Sequence, residues 1–133
     1  MQLLDLSKNY KIKAFINTDS ILNKNVSNYS LSKHHFSEWL KLFSKDFYCC
    51  NVKIEHFFGA QDDDTKFVIS IIKSFLNKSN TIKLTKGNQT RDFIYIDDVV
   101  SAIKKILIHS LKQKSGFEVC LLYTSDAADD SLR

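Results

Sequence analysis

The short apolar run Ala14-Phe15-Ile16 most constrains the fold, because it is continuous and does not alternate with polar residues. Such a run is typical of a strand that is covered on both faces, as in a parallel sheet. The pattern predicts a strand at 11–17, a polar loop at 17–28, a helix at 28–46 and a second strand at 51–58. Alternating strands and helices predict an α/β protein.

Shorter patterns predict the remaining elements. Residues 1–9 are interpreted as the end of a helix, and residues 81–84 as a short strand. Asp97 or Asp98 is expected to cap a further helix, because acidic side chains bind free N–H groups at a helix start. A last strand is predicted to begin at 116–119.

Composition excludes several classes of protein. The 133 residues suit one domain at most. The net charge of +4 comes from lysines scattered through every segment, which argues against nucleic-acid binding. No stretch of 18 apolar residues exists, so no membrane association is expected. Three cysteines, two of them adjacent, do not form a disulfide framework, and a reducing cytoplasmic setting is predicted.

Tyr29 and Lys33 are the strongest candidates for chemistry. They are four residues apart at the start of the predicted helix at 28–46, so they lie on one helix face. A phenol alone is a poor proton donor at neutral pH, but a nearby ammonium favours the phenolate and makes a tyrosine usable as an acid or base. The spacing by itself is common by chance.

Three motifs together resemble a known family. They are the runs Phe15–Ser20, Tyr29–Lys33 and Arg91–Val100, in that order. In residues 1–119 they resemble the extended short-chain dehydrogenases/reductases, the NAD(P)-dependent epimerase/dehydratase family acting on nucleotide sugars. Within that family the resemblance is to sugar 4-ketoreductases.

The resemblance implies a partial Rossmann-type doubly wound sheet. A dinucleotide site needs a glycine-rich turn, and the first glycine of this chain is Gly59. We therefore expect residues 1–119 to be the middle portion of the catalytic domain, without the N-terminal dinucleotide-binding half. Residues 120–133 look like a translated sequencing adapter and are expected to be a non-native tail.

The resemblance also implies roles for four residues near the first strand. Tyr29 would be the proton donor and, with Lys33, would bind the NAD or NADP cofactor. Thr18 would bind the reacting sugar oxygen as a third catalytic residue, and Thr18 and Asp19 would contact the nucleotide-diphosphate sugar. The alternative for Thr18 and Asp19 is that they only cap a turn.

His56 and Arg91 are the other two substrate-binding candidates. His56 lies near the end of the predicted strand at 51–58, at a position where the family commonly has Asn, and a purely structural role is equally compatible with this residue. Arg91 is the only arginine in residues 1–119, whereas lysine is used throughout. This indicates that the position requires a planar guanidinium, which can bind a diphosphate with two hydrogen bonds. The alternative is a structural ion pair with Asp92 or Asp97.

Ser20 favours a reductase over a dehydratase. In the resembled sugar 4,6-dehydratases this position carries a glutamate base that removes a carbon-bound proton. A serine hydroxyl is a poor base at neutral pH, whereas keto reduction needs only a hydride and a proton.

The triplet Asp62-Asp63-Asp64 has the composition of a metal site. No glycine or later glutamate completes a calcium loop, and a helical pattern follows directly. Capping of that helix is therefore predicted, and no metal site is expected.

Three hypotheses on function remain open from the sequence. The first is a fragment of a nucleotide-sugar 4-ketoreductase, inactive alone, whose complete form is compatible with a homodimer. The second is an epimerase or dehydratase of the same family. The third is a non-catalytic α/β binding protein whose motifs are vestigial.

Overall fold

Strand β2, which spans Tyr48–Ile54, is the centre of the fold. In the computed structural model, which describes residues 2–88 and 91–122, it lies between β1 (Ala14–Ser20) and β5 (Gly116–Leu122). Both neighbours run parallel to β2. The α/β class with a parallel sheet is thus confirmed.

Four helices and a small second sheet complete the described chain. The helices are α1 (Gln2–Asn9), α2 (Asn28–Phe43), α3 (Phe67–Leu76) and α4 (Ile96–Ser110). Strands β3 (His56–Phe58) and β4 (Phe93–Tyr95) pair in parallel and form the second sheet. None of the helices in the described ranges is long and apolar enough to cross a membrane.

The three-stranded sheet has an apolar cluster on each face. Because strand side chains alternate between faces, Cys49 and Cys50 belong to different clusters. Leu4 of α1 and Leu40 of α2 pack with Cys49 on one face, and Ile106 of α4 packs with Cys50 on the other. The sheet is therefore covered on both sides, as the continuous apolar run predicts.

The apolar stripe of α2 is confirmed in part. Leu40 is fully buried, and Phe36 and Phe43 pack against the same cluster. Trp39, by contrast, is 38% exposed. The helix ends at Phe43 and not at residue 46, so Phe47 joins the core from the connection to β2.

Gly59 allows β3 to approach the start of α4. A Cβ atom added at this position would collide with the side chain of Ile96. Glycine is therefore required here for the close packing of the two elements.

The structure corrects three strand predictions. Strand β1 continues to Ser20, so Thr18 and Asp19 lie in a strand and not in a loop or a capped turn. Residues 81–84 form no strand, because no strand in the described ranges pairs with them. The predicted strand at 51–58 is divided at Glu55 into β2 and β3, which belong to different sheets.

The prediction that the triplet Asp62–Asp64 caps α3 is wrong. The N-cap residue is Lys66, which makes no side-chain capping bond. Asp63 instead accepts a hydrogen bond of 2.8 Å from the backbone N–H of Thr65, and Asp62 pairs with Lys66 at 2.7 Å. These contacts stabilise the turn before the helix.

Asp97 and Asp98 do not cap α4 either. Tyr95 occupies the N-cap position, and its side chain makes no capping hydrogen bond. Both carboxylates lie in the first turn, where they interact favourably with the positive end of the helix dipole.

Strand β5 extends beyond residue 119. Cys120, Leu121 and Leu122 continue the parallel pairing with β2. The rest of the expected non-native tail, residues 123–133, lies outside the described residues.

Candidate functional site

The first turn of α2 is held by a capping box. The backbone N–H of Ser30 donates to Ser27 Oγ at 3.1 Å, and the backbone N–H of Ser27 donates to Ser30 Oγ at 3.0 Å. These two bonds fix where the helix begins. Tyr29 and Lys33 therefore occupy its first two turns.

Tyr29 and Lys33 meet the end of β1 in an open cleft of about 350 Å³. The Nζ atom of Lys33 lies 5.7 Å from the centroid of the Tyr29 ring and donates a 2.7 Å hydrogen bond to the backbone oxygen of Thr18. The Tyr29 side chain is 57% exposed. The structure thus brings together three of the predicted residues at the carboxyl end of a parallel strand, where ligands bind in such sheets.

Asp19 also lines this cleft, but its carboxylate is engaged within the protein. One oxygen accepts the backbone N–H of Ser20 at 2.7 Å, and the other accepts the side-chain amide of Asn51 at 2.7 Å. The residue is only 9% exposed. Its main contacts hold the end of β1 to β2.

His56 and Arg91 lie together at a second cleft of about 370 Å³ that adjoins the first. The guanidinium of Arg91 donates to His56 Nε2 at 3.0 Å. Since a guanidinium has no acceptor, His56 Nε2 is the acceptor of this bond. Nδ1 is buried and lies 3.7 Å from Glu55 Oε1, beyond hydrogen-bond distance.

Glu55, His56 and Phe57 line both clefts and connect them. The two clefts therefore adjoin at the junction of β2 and β3.

An ion pair between Asp62 and Lys66 lies in the wall of the second cleft. A hydrogen bond from Lys66 lowers the pKa of Asp62, and the same ammonium lies 5.6 Å from the centroid of the Phe57 ring.

Within residues 2–88 and 91–122, no group of three His, Cys, Asp or Glu side chains is arranged to hold a metal ion.

The sequence patterns missed Asn51 and Ser37. Asn51 is fully buried in β2, and its amide donates to Ser37 Oγ at 3.0 Å. The signal was available, because an amide inside the otherwise apolar run Tyr48-Cys49-Cys50-Asn51-Val52 needs hydrogen-bond partners. The partners themselves could not be read from the sequence.

Comparison with known families gives a match over most of the chain. The family model described as "NAD dependent epimerase/dehydratase family" matches residues 6–120. This range includes all six predicted site residues.

Two curated relatives are named CDP-abequose synthase. The protein from Salmonella typhimurium is 37% identical over 115 residues, which are 80% of this chain and 38% of the relative. The protein from Salmonella muenchen is 40% identical over 125 residues, which are 87% of this chain and 40% of the relative. The chain thus spans about two fifths of the length of the curated relatives it matches.

A solved structure shows the same fold. The UDP-glucuronic acid 4-epimerase from Bacillus cereus, in complex with UDP-glucuronic acid and NAD, superposes with a TM-score of 0.70 at 20% identity. The match covers 94% of this chain and 44% of that one. The predicted partial Rossmann-type fold is confirmed by this similarity.

Proposed function

The chain belongs to the NAD-dependent epimerase/dehydratase family, and on that premise we propose that it forms the proton-transfer part of a nucleotide-sugar 4-ketoreductase. The observation that carries the proposal is the cleft in which Tyr29, Lys33 and the end of β1 at Thr18 meet. It contains a proton donor, a cation beside it and a neighbouring hydroxyl residue, which are the groups that protonation of a reduced carbonyl requires.

The cleft fits a nicotinamide cofactor. The exposed Tyr29 phenol and the Lys33 ammonium offer hydrogen-bond donors that suit the hydroxyls of a ribose. When bound, NAD or NADP would supply the hydride. The NAD named for the Bacillus cereus structure supports the cofactor class.

Each of the four predicted site residues near the end of β1 then has a defined role. Tyr29 donates its proton to the sugar oxygen as negative charge develops on it, and Thr18 orients that oxygen. Lys33 favours the phenolate that remains and binds the cofactor ribose. Asp19 acts through the position of Thr18, because its own carboxylate oxygens already accept hydrogen bonds within the protein.

The second cleft would receive the diphosphate. Arg91 offers a planar group of donors at its wall, and two of them can bind one phosphate. His56 lies between this group and the first cleft, which is where the sugar of an elongated nucleotide-sugar would pass. The substrates in the names of the relatives and of the solved structure support this class of ligand.

Reduction is favoured over dehydration at Ser20. Its hydroxyl oxygen accepts the backbone N–H of Leu22 at 3.1 Å and stabilises the turn after β1. No carboxylate stands at this position to remove a carbon-bound proton. The proposal includes the cytoplasmic, reducing setting, which the three free cysteines support.

The test is Tyr29→Phe in the full-length enzyme that carries this chain. A CDP-linked 4-keto sugar is the first substrate to use, because the curated relatives are named for a CDP sugar. NADPH or NADH consumption should fall by about 10²-fold or more, since the phenol proton is lost and the ring remains.

Tyr10→Phe is the matched control. Tyr10 is 80% exposed and lies outside the cleft, so its variant should retain normal turnover. Near-normal turnover of Tyr29→Phe would refute the proposed role and favour the non-catalytic hypothesis.

A further inference from the structure

Asn51 is the centre of a buried network of side chains. Its Nδ2 donates to Asp19 Oδ2 at 2.7 Å and to Ser37 Oγ at 3.0 Å, and its Oδ1 accepts from Asn17 Nδ2 at 2.7 Å. Asn51 itself is 0% exposed. Three hydrogen bonds offset the cost of burying this amide, and they join β1, β2 and α2.

The network lies directly behind the residues of the first cleft. Asp19 follows Thr18 in β1, and Ser37 is one turn beyond Lys33 and two turns beyond Tyr29 on the same face of α2. The bridge Asp19–Asn51–Ser37 therefore connects the same two elements, β1 and α2, as the exposed bond from Lys33 to the Thr18 carbonyl.

The apolar packing of α2 cannot replace this bridge. Its apolar core contacts come from Phe36, Leu40 and Phe43, in the same half of the helix as Ser37. Apolar contacts are non-directional, so they tolerate small rotations and shifts of the helix. Hydrogen bonds between side chains restrict both distance and angle.

We propose that Asp19, Asn51 and Ser37 are positioning residues that fix the rotation and axial position of α2 relative to β1. They set the separation between Tyr29 and Thr18, which the proposed reaction requires to act on one oxygen. This inference rests on the proposed function, because it assigns the bridge a catalytic purpose. None of the three residues needs to touch the reacting atoms.

An exchange of residues tests the bridge. Asn51→Asp alone places two carboxylates together in a buried site and removes the donor between them. Adding Asp19→Asn restores one amide and one carboxylate. Asp at 51 can then accept from Asn at 19, from the Ser37 hydroxyl and from Asn17, while Asn at 19 still accepts the Ser20 N–H.

In the full-length enzyme, Asn51→Asp should lower kcat by about 10-fold to 100-fold, because small displacements of reacting groups are costly. The double variant should regain at least about 10-fold of that loss, with KM for the nucleotide sugar within about 3-fold of normal throughout. A double variant as slow as the single one, or a KM that rises as kcat falls, would overturn the proposal.

A milder pair keeps the test valid if Asn51→Asp does not fold. Ser37→Ala removes one arm of the bridge and should lower kcat by about 3-fold to 10-fold without changing KM. Ser101→Ala, at an exposed serine on α4, is the matched control and should have no effect. An unchanged kcat for Ser37→Ala would contradict the bridge.

Hydrogen exchange separates this inference from the proposed function. Amides 31–34 in the first turns of α2 should lose protection in Asn51→Asp and regain it in the double variant, whatever reaction the enzyme catalyses. If Tyr29→Phe remains active but this exchange pattern is found, the ketoreductase proposal fails and the bridge stands. No change in exchange would overturn the bridge itself.

Discussion

The ammonium of Lys33 donates a 2.7 Å hydrogen bond to the backbone carbonyl of Thr18, 15 residues earlier in the chain. A single bond at an exposed site adds little to the free energy of unfolding. Its significance is positional, because it places the start of α2 against the end of β1. The predicted proton donor and the predicted sugar-orienting residue thereby share one cleft.

Removing the Lys33 ammonium should impair turnover. Lys33→Met keeps most of the length of the side chain but removes the charge beside Tyr29 and the bond to Thr18. We expect kcat of the full-length enzyme to fall by about 10²-fold, as for loss of other groups that support acid–base chemistry. The same substitution at the exposed Lys45 is the control, and equal losses for both variants would contradict a specific role.

Arg91→Lys should weaken binding of the nucleotide sugar. Lysine keeps the positive charge but cannot form two parallel hydrogen bonds to a phosphate. We expect KM for the nucleotide sugar to rise about 10-fold with kcat within about 2-fold, measured at saturating cofactor. Lys83→Met, at an exposed cation of the preceding segment, should leave KM unchanged.

The structural alternative for Arg91 makes a different prediction. If Arg91 serves stability alone, through its bond to His56 or through the predicted ion pair with Asp92 or Asp97, Arg91→Lys will lower the midpoint of urea unfolding and leave KM unchanged. Measuring both quantities on the same preparation decides between the two roles.

Two leucines of α2 should differ sharply in their effect on stability. Leu40 is 0% exposed within the core cluster, whereas Leu42, two residues later, is 61% exposed. We expect Leu40→Ala to lower the free energy of unfolding by about 3 kcal/mol and Leu42→Ala to change it by less than about 0.5 kcal/mol. Urea denaturation followed by far-UV circular dichroism measures both, and similar losses would contradict the described helix face.

The buried Cys49 thiol should react slowly with iodoacetamide. Burial raises its pKa from an ordinary value of 9.0 to about 11. The thiolate is the reactive form, so at pH 8 this difference lowers the labelling rate roughly 100-fold relative to the urea-unfolded chain. Mass spectrometry of the labelled peptides gives the two rates, and equal rates would contradict the burial of Cys49.

The same shift predicts how the fold responds to alkali. Since burial favours the neutral thiol, its contribution to stability is complete below about pH 9 and is lost as the pH rises through about 11. Labelling of Cys49 should accelerate over this range, while the partly exposed Cys120 serves as the internal comparison.

Local spacing was sufficient for the parts of the site that lie within one element. The i, i+4 relation places Tyr29 and Lys33 on one face of α2, and the apolar run at 14–16 identifies a doubly covered strand. These features follow from helix and strand geometry, which depends on neighbours in the chain. The class of fold and the first two helices could therefore be predicted from the residues alone.

Predictions near the ends of helices and strands were less successful, because partners distant in the chain decide where an element begins or ends. The carboxylates at 62–64 suit a helix cap by type, yet they form the preceding turn. Thr18 and Asp19 suit a turn by composition, yet pairing with β2 keeps them in an extended strand. Competition between a local cap and a long-range partner is decided by the partner, which sequence spacing does not contain.

By itself the sequence determined the α/β alternation, the helical face of Tyr29 and Lys33, and the resemblance to one enzyme family. Only the tertiary structure decided that Lys33 reaches Thr18, that Arg91 meets His56, and that Asn51 joins Asp19 to Ser37. The physical reason is that these contacts depend on parallel strand register and helix docking. Both are set by burial of apolar faces from segments distant in the chain.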